Sequence, residues 1–522
     1  MQAVEVVLGL LVLVALLTVV ARKIGIPYPI LMTIGGVLLG LVPGLPKLQL
    51  APDLIFLLFL PPLLFAAAFF TSPRELWLNI RPISLLAIGL VVATAGTVAV
   101  VFHALAPEVG WAAAFALGAI VSPPDAVAAT AIAQRLGLPR RLVVILEGES
   151  LINDATALVL LGLALEAVRS GSFSVGLGAL EFLWVSAGGV VIGLIVGWAL
   201  IELERRLEDP PVAVIVSVLA PFAAWIAATS SPIPVSGVLA VVTAGIVLGR
   251  AAPRILGSDV RVLASGVWQM LIFTLNGLVF ILIGLQLPAI LDSVRVGRSL
   301  GDIALTAGAV CAAVILARLV WVFPATYLPR WLIPGLSARD PSPPPRVVLI
   351  LGWAGMRGVV SLAAALALPT DVPGRDLILL LTFAVILATL VGQGLTLPLL
   401  IRRLGIGDDG TAAHEELHAR EASVMAALQR LDGLATEWPG HLELIDQMRG
   451  RFQHTTEHLE HDHEAGEVPM DQEQIEHAAI RTAVIDAQRL AVIDLRDRGV
   501  ISDDAMRRVE RELDLEELRA EG

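Results

Sequence analysis

The chain has 522 residues, 56% of them hydrophobic and 16% charged, with a net charge of −12. Its mean hydropathy of +0.81 excludes an ordinary soluble globular protein and a disordered one, and points to a polytopic membrane protein. From Gly405 onward 12 Arg face 28 Asp and Glu, so this tail carries −16 and the remainder +4; the acidic tail argues against nucleic acid as a partner.

The first apolar segment, Val4 to Val20, has no basic stretch before it and no small-residue cleavage site after it. It reads as a retained span or signal anchor. Runs of about 20 apolar residues predict spans at 3–21, 28–45, 52–70, 82–106, 111–134, 140–168, 177–203, 210–229, 235–250, 262–288, 302–328, 345–369 and 376–401. With the first loop cytoplasmic, alternate loops carry 17 Lys and Arg against 5 on the opposite side. The positive-inside rule then puts the N-terminus outside and the tail in the cytoplasm, and such alternation requires an odd number of spans.

In the fifth span Ser122, Pro123, Pro124 and Asp125 follow an apolar half-helix. Adjacent prolines remove two amide donors and bar regular helix. The sixth span holds LEGESLINDATAL, Leu146 to Leu158, with Glu147, Glu149, Ser150, Asn153 and Asp154 inside an apolar run. Ionisable groups at membrane depth are costly and by default functional. Ser150 and Asp154 fall on one helical stripe and Glu149 and Asn153 on the next, so one helix offers a carboxylate, an amide and a hydroxyl to one small volume. Oxygen ligands suit hard cations, and a carboxylate that takes either a proton or a cation couples the two by competition. Mutual satisfaction in a polar helix interface is the plainer alternative.

Span 7 carries Gly189, Gly193 and Gly197, a small-residue stripe that suits a dimer face and an internal packing face equally. In span 11, the one cysteine, Cys311, leaves no disulfide framework within a chain. The same span buries Arg318 among apolar residues; it requires a carboxylate partner, for which Glu149 is the first choice and Glu147 the second. Span 12 is broken by GWAGMRG, Gly352 to Gly358, around Arg357. If spans 1–6 and 8–13 are two repeats, each break falls in the fifth span of its repeat, the arrangement that marks a transporter's midplane site. Half-helices ending within the bilayer expose partial charges, and Asp125 and Arg357 are placed to neutralise them, a role favoured here over direct ion contact.

The tail shows helical periodicity near 412–433, 440–465, 470–498 and 502–519, with a turn expected at Gly466 and Pro469. His454, His458 and His461 share one helical face that suits a transition metal, a pH sensor or simply a solvated polar surface.

In combination, LPPLLF (Leu60 to Phe65), SPPDAVAAT (Ser122 to Thr130), GESLINDA (Gly148 to Ala155), ARL (Ala317 to Leu319) and GMRGVVSLA (Gly355 to Ala363) resemble the sodium/proton exchanger family of cation–proton antiporters. The resemblance implies an all-α membrane domain of 13 helices with an inverted repeat and two broken helices, spanning residues 1–404. A helical cytoplasmic regulatory domain would occupy 405–522. It further implies a homodimer in the cell membrane, with spans 1 and 7 in the dimer domain and an elevator-like six-helix core, serving pH homeostasis. Asp154 would alternately hold cation and proton, Asn153 would be its neighbour, Ser150 a ligand and Asp125 a member of the broken helix. Glu149 would pair with Arg318, and Arg357 would belong to the second broken helix. Asn before Asp is similar to electroneutral one-for-one exchangers. Two departures from the pattern stand out: Ala66, Ala67 and Ala68 occupy the stretch where many relatives have an acidic residue, and Pro124 the place where many have Thr. Na+, K+ and Li+ therefore all stay open as substrates. No cofactor is expected beyond the transported ions, and the absence of a phosphate loop, nucleophile elbow or HExxH argues against an enzyme. A cation channel, or a transceptor reporting cation or pH through the acidic tail, is the alternative.

Overall fold

The computed structural model describes residues 2–42, 55–171, 175–287, 299–407 and 410–465, with 290 and short stretches between 484 and 513. Among these residues every regular element is helical. The chain forms two compact units, Met1–Asp409 and Gly410–Gly522.

The larger unit runs α1 (Gln2–Ile24), α2 (Tyr28–Gly40), α3 (Leu60–Phe70), α4 (Pro73–Leu78), α5 (Ile80–Ser84), α6 (Val91–Leu105), α7 (Trp111–Val121), α8 (Ala126–Arg135), α9 (Arg140–Ser170) and α10 (Val175–Glu204). It continues with α11 (Pro210–Thr229), α12 (Gly237–Ile255), α13 (Ser258–Leu285), α14 (Leu300–Leu332), α15 (Leu336–Arg339), α16 (Pro345–Trp353), α17 (Val359–Leu366), α18 (Arg375–Leu387) and α19 (Gly394–Leu404). Among the described residues ten helical stretches are long and apolar enough to cross a bilayer, and Tyr28–Gly40 and Leu57–Phe70 are shorter apolar helices.

Local chemistry explains the boundaries. The two prolines of LPPLLF sit in the first turn of α3, where an amide donor has no intrahelical partner to lose. Adjacent Pro123 and Pro124 remove two successive amide donors, and α7 stops at Val121 while α8 starts at Ala126. Gly171 closes α9 with φ 67°, a left-handed conformation that glycine adopts without steric cost. α14 outruns the expected 302–328: Ser299 accepts from the Asp302 amide at 3.1 Å, starting the helix early, and the chain stays helical through Pro324 and Pro329 to Leu332.

Two hydrophobic clusters form the interior. One gathers residues of α7, α13, α17 and α18 among others; the second joins α3, α11 and α12 around Trp268, whose ring stacks on Phe65 at 5.7 Å between centroids. α9 contributes Ile145, Leu146, Leu161 and Ala164 to the first and Leu151 and Ala155 to the second. It therefore runs along their seam. The glycine stripe of α10 packs internally: a Cβ on Gly193 would meet the Ala240 carbonyl oxygen of α12 at 2.5 Å.

In the smaller unit α20 (Thr411–Glu437) and α21 (Leu442–Ala465) bury Val424, Leu431 and Ile445. Arg449 bridges them, 2.8 Å from both Asp432 and Asp446. The expected turn at Gly466 and Pro469 lies outside the described residues, as does most of the chain expected to be helical beyond it. α21 contains His454, His458 and His461, whose side chains also lie outside the described residues.

Candidate ion site

Because α9 follows the seam, its polar residues face protein: Glu149 is 1% exposed, Asn153 0% and Asp154 6%. The gap between α7 and α8 abuts this stripe. Asn153 donates from Nδ2 to the Pro124 carbonyl at 2.8 Å, and Ser150 Oγ accepts from the Ala126 amide at 3.4 Å. Both partners are backbone groups that the break releases from regular helical bonding. Asn153 thereby keeps its Oδ1 buried with no hydrogen-bond partner, an acceptor oxygen left over one residue from the Asp154 carboxylate. Asp154 lies within the electrostatic reach of Asp125.

Asp125 ties the two breaks together. Its carboxylate accepts from the Val127 amide at 2.8 Å, in the first turn of α8, and lies against Gly358, the residue that precedes α17. Its own amide donates to the Met356 carbonyl at 2.7 Å. One negative group thus sits on two positive helix ends. Any side chain at position 358 would run into the Asp125 carboxylate, which is why the chain has glycine there.

Arg357, fully buried, serves the opposite pole. Nε donates to the Val121 carbonyl at 3.0 Å and Nη2 to that of Ser122 at 3.4 Å, the terminal carbonyls of α7. Nη1 donates to Gly355. The Arg357 amide donates to Thr389 Oγ1 at 3.0 Å.

Glu149 and Arg318 form a two-pronged ion pair, Nη2 to Oε2 at 2.8 Å and Nη1 to Oε1, both side chains 1% exposed. Arg318 further donates to the Leu351 carbonyl near the end of α16, from Nη2 at 3.1 Å and Nε at 3.3 Å. Glu147 stands apart, half-buried near Glu75. Around Ala66 and Ala68 the surroundings are helix packing: a Cβ on Gly245 of α12 would lie 2.9 Å from the Ala68 methyl.

Three polar features escaped the reading of the sequence. Thr389 looks like any membrane threonine until the Arg357 amide is seen on it. Tyr28 lies near Asn276 and within the field of Asp125, across segments too distant in the chain to be paired by spacing. Asp340, in the segment after α14, accepts from Arg141 Nη2 at 2.8 Å, from Arg330 Nη2 at 2.9 Å and from Arg81. Burial pushes the Asp340 carboxyl up, but the hydrogen bonds and charges of Arg141 and Arg330 outweigh it and hold it below the usual carboxylate range. The signal was present: Asp340 is the one acid in a loop that carries Arg330, Arg339 and Arg346.

Comparison with known proteins gives a consistent answer. Residues 9–403 match the family model described as sodium/hydrogen exchanger, transmembrane. The chain is 35% identical to an uncharacterized Na+/H+ exchanger of Mycobacterium tuberculosis, over 98% of this chain and 96% of that one. It is 34% identical to the sodium, potassium, lithium and rubidium/H+ antiporter of Bacillus subtilis, over 76% of this chain and 61% of the relative. In structure it is similar to the sodium proton antiporter MjNhaP1 of Methanocaldococcus jannaschii, with a TM-score of 0.58 at 19% identity, covering 77% of this chain and 99% of that one.

Proposed function

The chain belongs to the sodium/hydrogen exchanger family of membrane antiporters, and on that premise we propose that it is a secondary-active monovalent cation/proton antiporter. Asp154 is the exchanging group. The observation that carries the reading is a buried carboxylate, Asp154, next in the chain to Asn153, whose amide bonds to the gap in a broken helix and whose Oδ1 is left without a partner. An uncompensated carboxylate in a low-dielectric interior is costly. Asp154 is therefore neutralised by a proton or by a cation, and each occupant excludes the other.

Asp154, Asn153 Oδ1 and Ser150 Oγ supply oxygen ligands of the kind that hard cations take. Asp125 and Arg357 hold the helix ends, and Glu149 with Arg318 anchors α9 to α14. One carboxylate that holds one proton or one monovalent cation gives electroneutral exchange. The substrates for which the Bacillus subtilis relative is named and the modest ligand set here support a broad choice among Na+, K+ and Li+. Alternating access through movement of a six-helix core in a 13-span inverted repeat, a homodimer, an outside N-terminus, and the division into a transport domain of 1–404 and a cytoplasmic regulatory tail of 405–522 belong to the same proposal. Membership of an antiporter family disfavours the channel alternative.

The decisive experiment is exchange in proteoliposomes loaded with a pH-sensitive dye. Asp154→Asn is expected to abolish proton efflux driven by Na+, K+ or Li+ while the protein still inserts and elutes as the wild type does. Retained cation-driven proton movement in that variant overturns the assignment.

A further inference from the structure

Helices α6, α7, α9 and α10 line a cavity of about 1020 Å³ that is open on one side. Its wall includes Ala95, Phe115, Leu160, Ala164, Phe182 and Leu183. The one hydroxyl on it, Thr156, is already engaged with the Ile152 carbonyl at 3.2 Å. A single water needs only about 10–15 Å³ but also two to four polar partners, and this wall offers almost none. An empty void of such size forfeits the dispersion contacts of every atom around it. The enclosing helices are membrane-spanning, so the medium at its opening is hydrocarbon.

One end of the cavity reaches Trp111, Gly171 and Pro373, where α7 begins, α9 ends and α18 is about to begin. Trp111 packs against His103 with ring centroids 4.2 Å apart and planes tilted by 32°. Arg169 is exposed in the last turn of α9, between the lining residues Val168 and Gly171. An indole and a guanidinium at helix ends match the chemistry of the bilayer interface, where a lipid phosphate is found.

We propose that this cavity is a phospholipid site, with acyl chains filling the space between α9 and α10 and the phosphate resting on Arg169. Thr156 lies two residues beyond Asp154, so the lipid packs against the helix that carries the polar stripe. The site stands independently of the antiport reading, because its test measures lipid contact and not exchange.

The test reconstitutes the protein in phosphatidylcholine vesicles containing phosphatidylglycerol with a diazirine in mid-chain, followed by irradiation and mapping of the labelled peptides. Label is expected to concentrate on 160–168 and 178–183. Ala179→Trp places an indole in the cavity from an exposed lining position and is expected to lower that label about tenfold, the effect of losing about 1.4 kcal/mol of binding. Val191→Trp, on an exposed face of the same helix, is expected to leave it unchanged. Arg169→Gln is expected to reduce label in the cavity while label on the open face of α1 stays constant. Equal labelling of the cavity and of that open face overturns the site, as does full labelling of a well-folded Ala179→Trp protein. Should that variant misfold, Ala167→Phe fills the same space from the α9 side, and the same two readings apply.

Discussion

Glu149 and Arg318 show how much a buried charge constrains its neighbours. Each carries a full charge where water is excluded, and Arg318 also needs the Leu351 carbonyl to satisfy its remaining donors. Removing one partner leaves the other charge uncompensated, at a typical cost of about 3–5 kcal/mol. Glu149→Gln and Arg318→Met are each expected to lower the thermal midpoint in detergent sharply. The double variant, which leaves no orphan charge, is expected to recover much of the loss; additive losses in the double-mutant cycle would refute the coupling. Exchanging the two charges restores less, because a glutamate at 318 would face the Leu351 carbonyl. At this scale the polar residues themselves were legible, since a carboxylate inside an apolar run needs a reason. Their backbone partners were not: the Pro124, Val121 and Leu351 carbonyls have no sequence signature of their own, and the free Oδ1 of Asn153 emerges only once Nδ2 is seen to be spent on Pro124.

Helix ends explain why the two breaks depend on each other. Asp125 bonds to an amide of α8 and lies against Gly358 at the start of α17, and Arg357 bonds to the last carbonyls of α7, so neither break keeps its electrostatic balance without the other. Gly358→Ala puts a methyl into the Asp125 carboxylate and is expected to reduce exchange at least as strongly as it reduces stability, whereas Gly96→Ala, where a methyl meets nothing within 4 Å, is expected to leave both unchanged. The positions of the breaks could be read from Pro-Pro and from three glycines around an arginine. The role of the α10 glycines could not, because a small-residue stripe serves either kind of interface, and only their approach to Ala240 decides it. The loop at Asp340 adds a pH dependence of known sign. Its carboxyl is held below the ordinary value of 3.8, so the stabilisation is complete above that value and is lost as pH falls through the lower folded value. Asp340→Asn is accordingly expected to lower the thermal midpoint by a similar amount at pH 5 and pH 8. A deficit that changes between those two pH values would show that another group titrates in the cluster.

Over the whole molecule the hydropathy and loop charges anticipated the class because the bilayer imposes one coarse rule, that spanning backbone be helical and apolar. The same rule explains what they left unread: apolar helices such as Tyr28–Gly40 are too short to fix a count, and the acidic tail obeys the different rules of water. Charge balance then yields the last test. If Asp154 alternates between one proton and one monovalent cation, no net charge crosses in a cycle, and a membrane potential has nothing to act on. If instead a second group also titrated, one elementary charge would move, and 100 mV would be worth about 2.3 kcal/mol, or about a fiftyfold shift in the equilibrium ratio of cations. Proteoliposomes with a potential set by a thiocyanate gradient, rather than by potassium, which is itself a candidate substrate, are expected to reach the same Na+ distribution at zero and at 100 mV for a given pH gradient. A shift approaching fiftyfold would assign a second moving charge to the site, and Asp125, the other carboxylate at the crossing, would be the first residue to substitute.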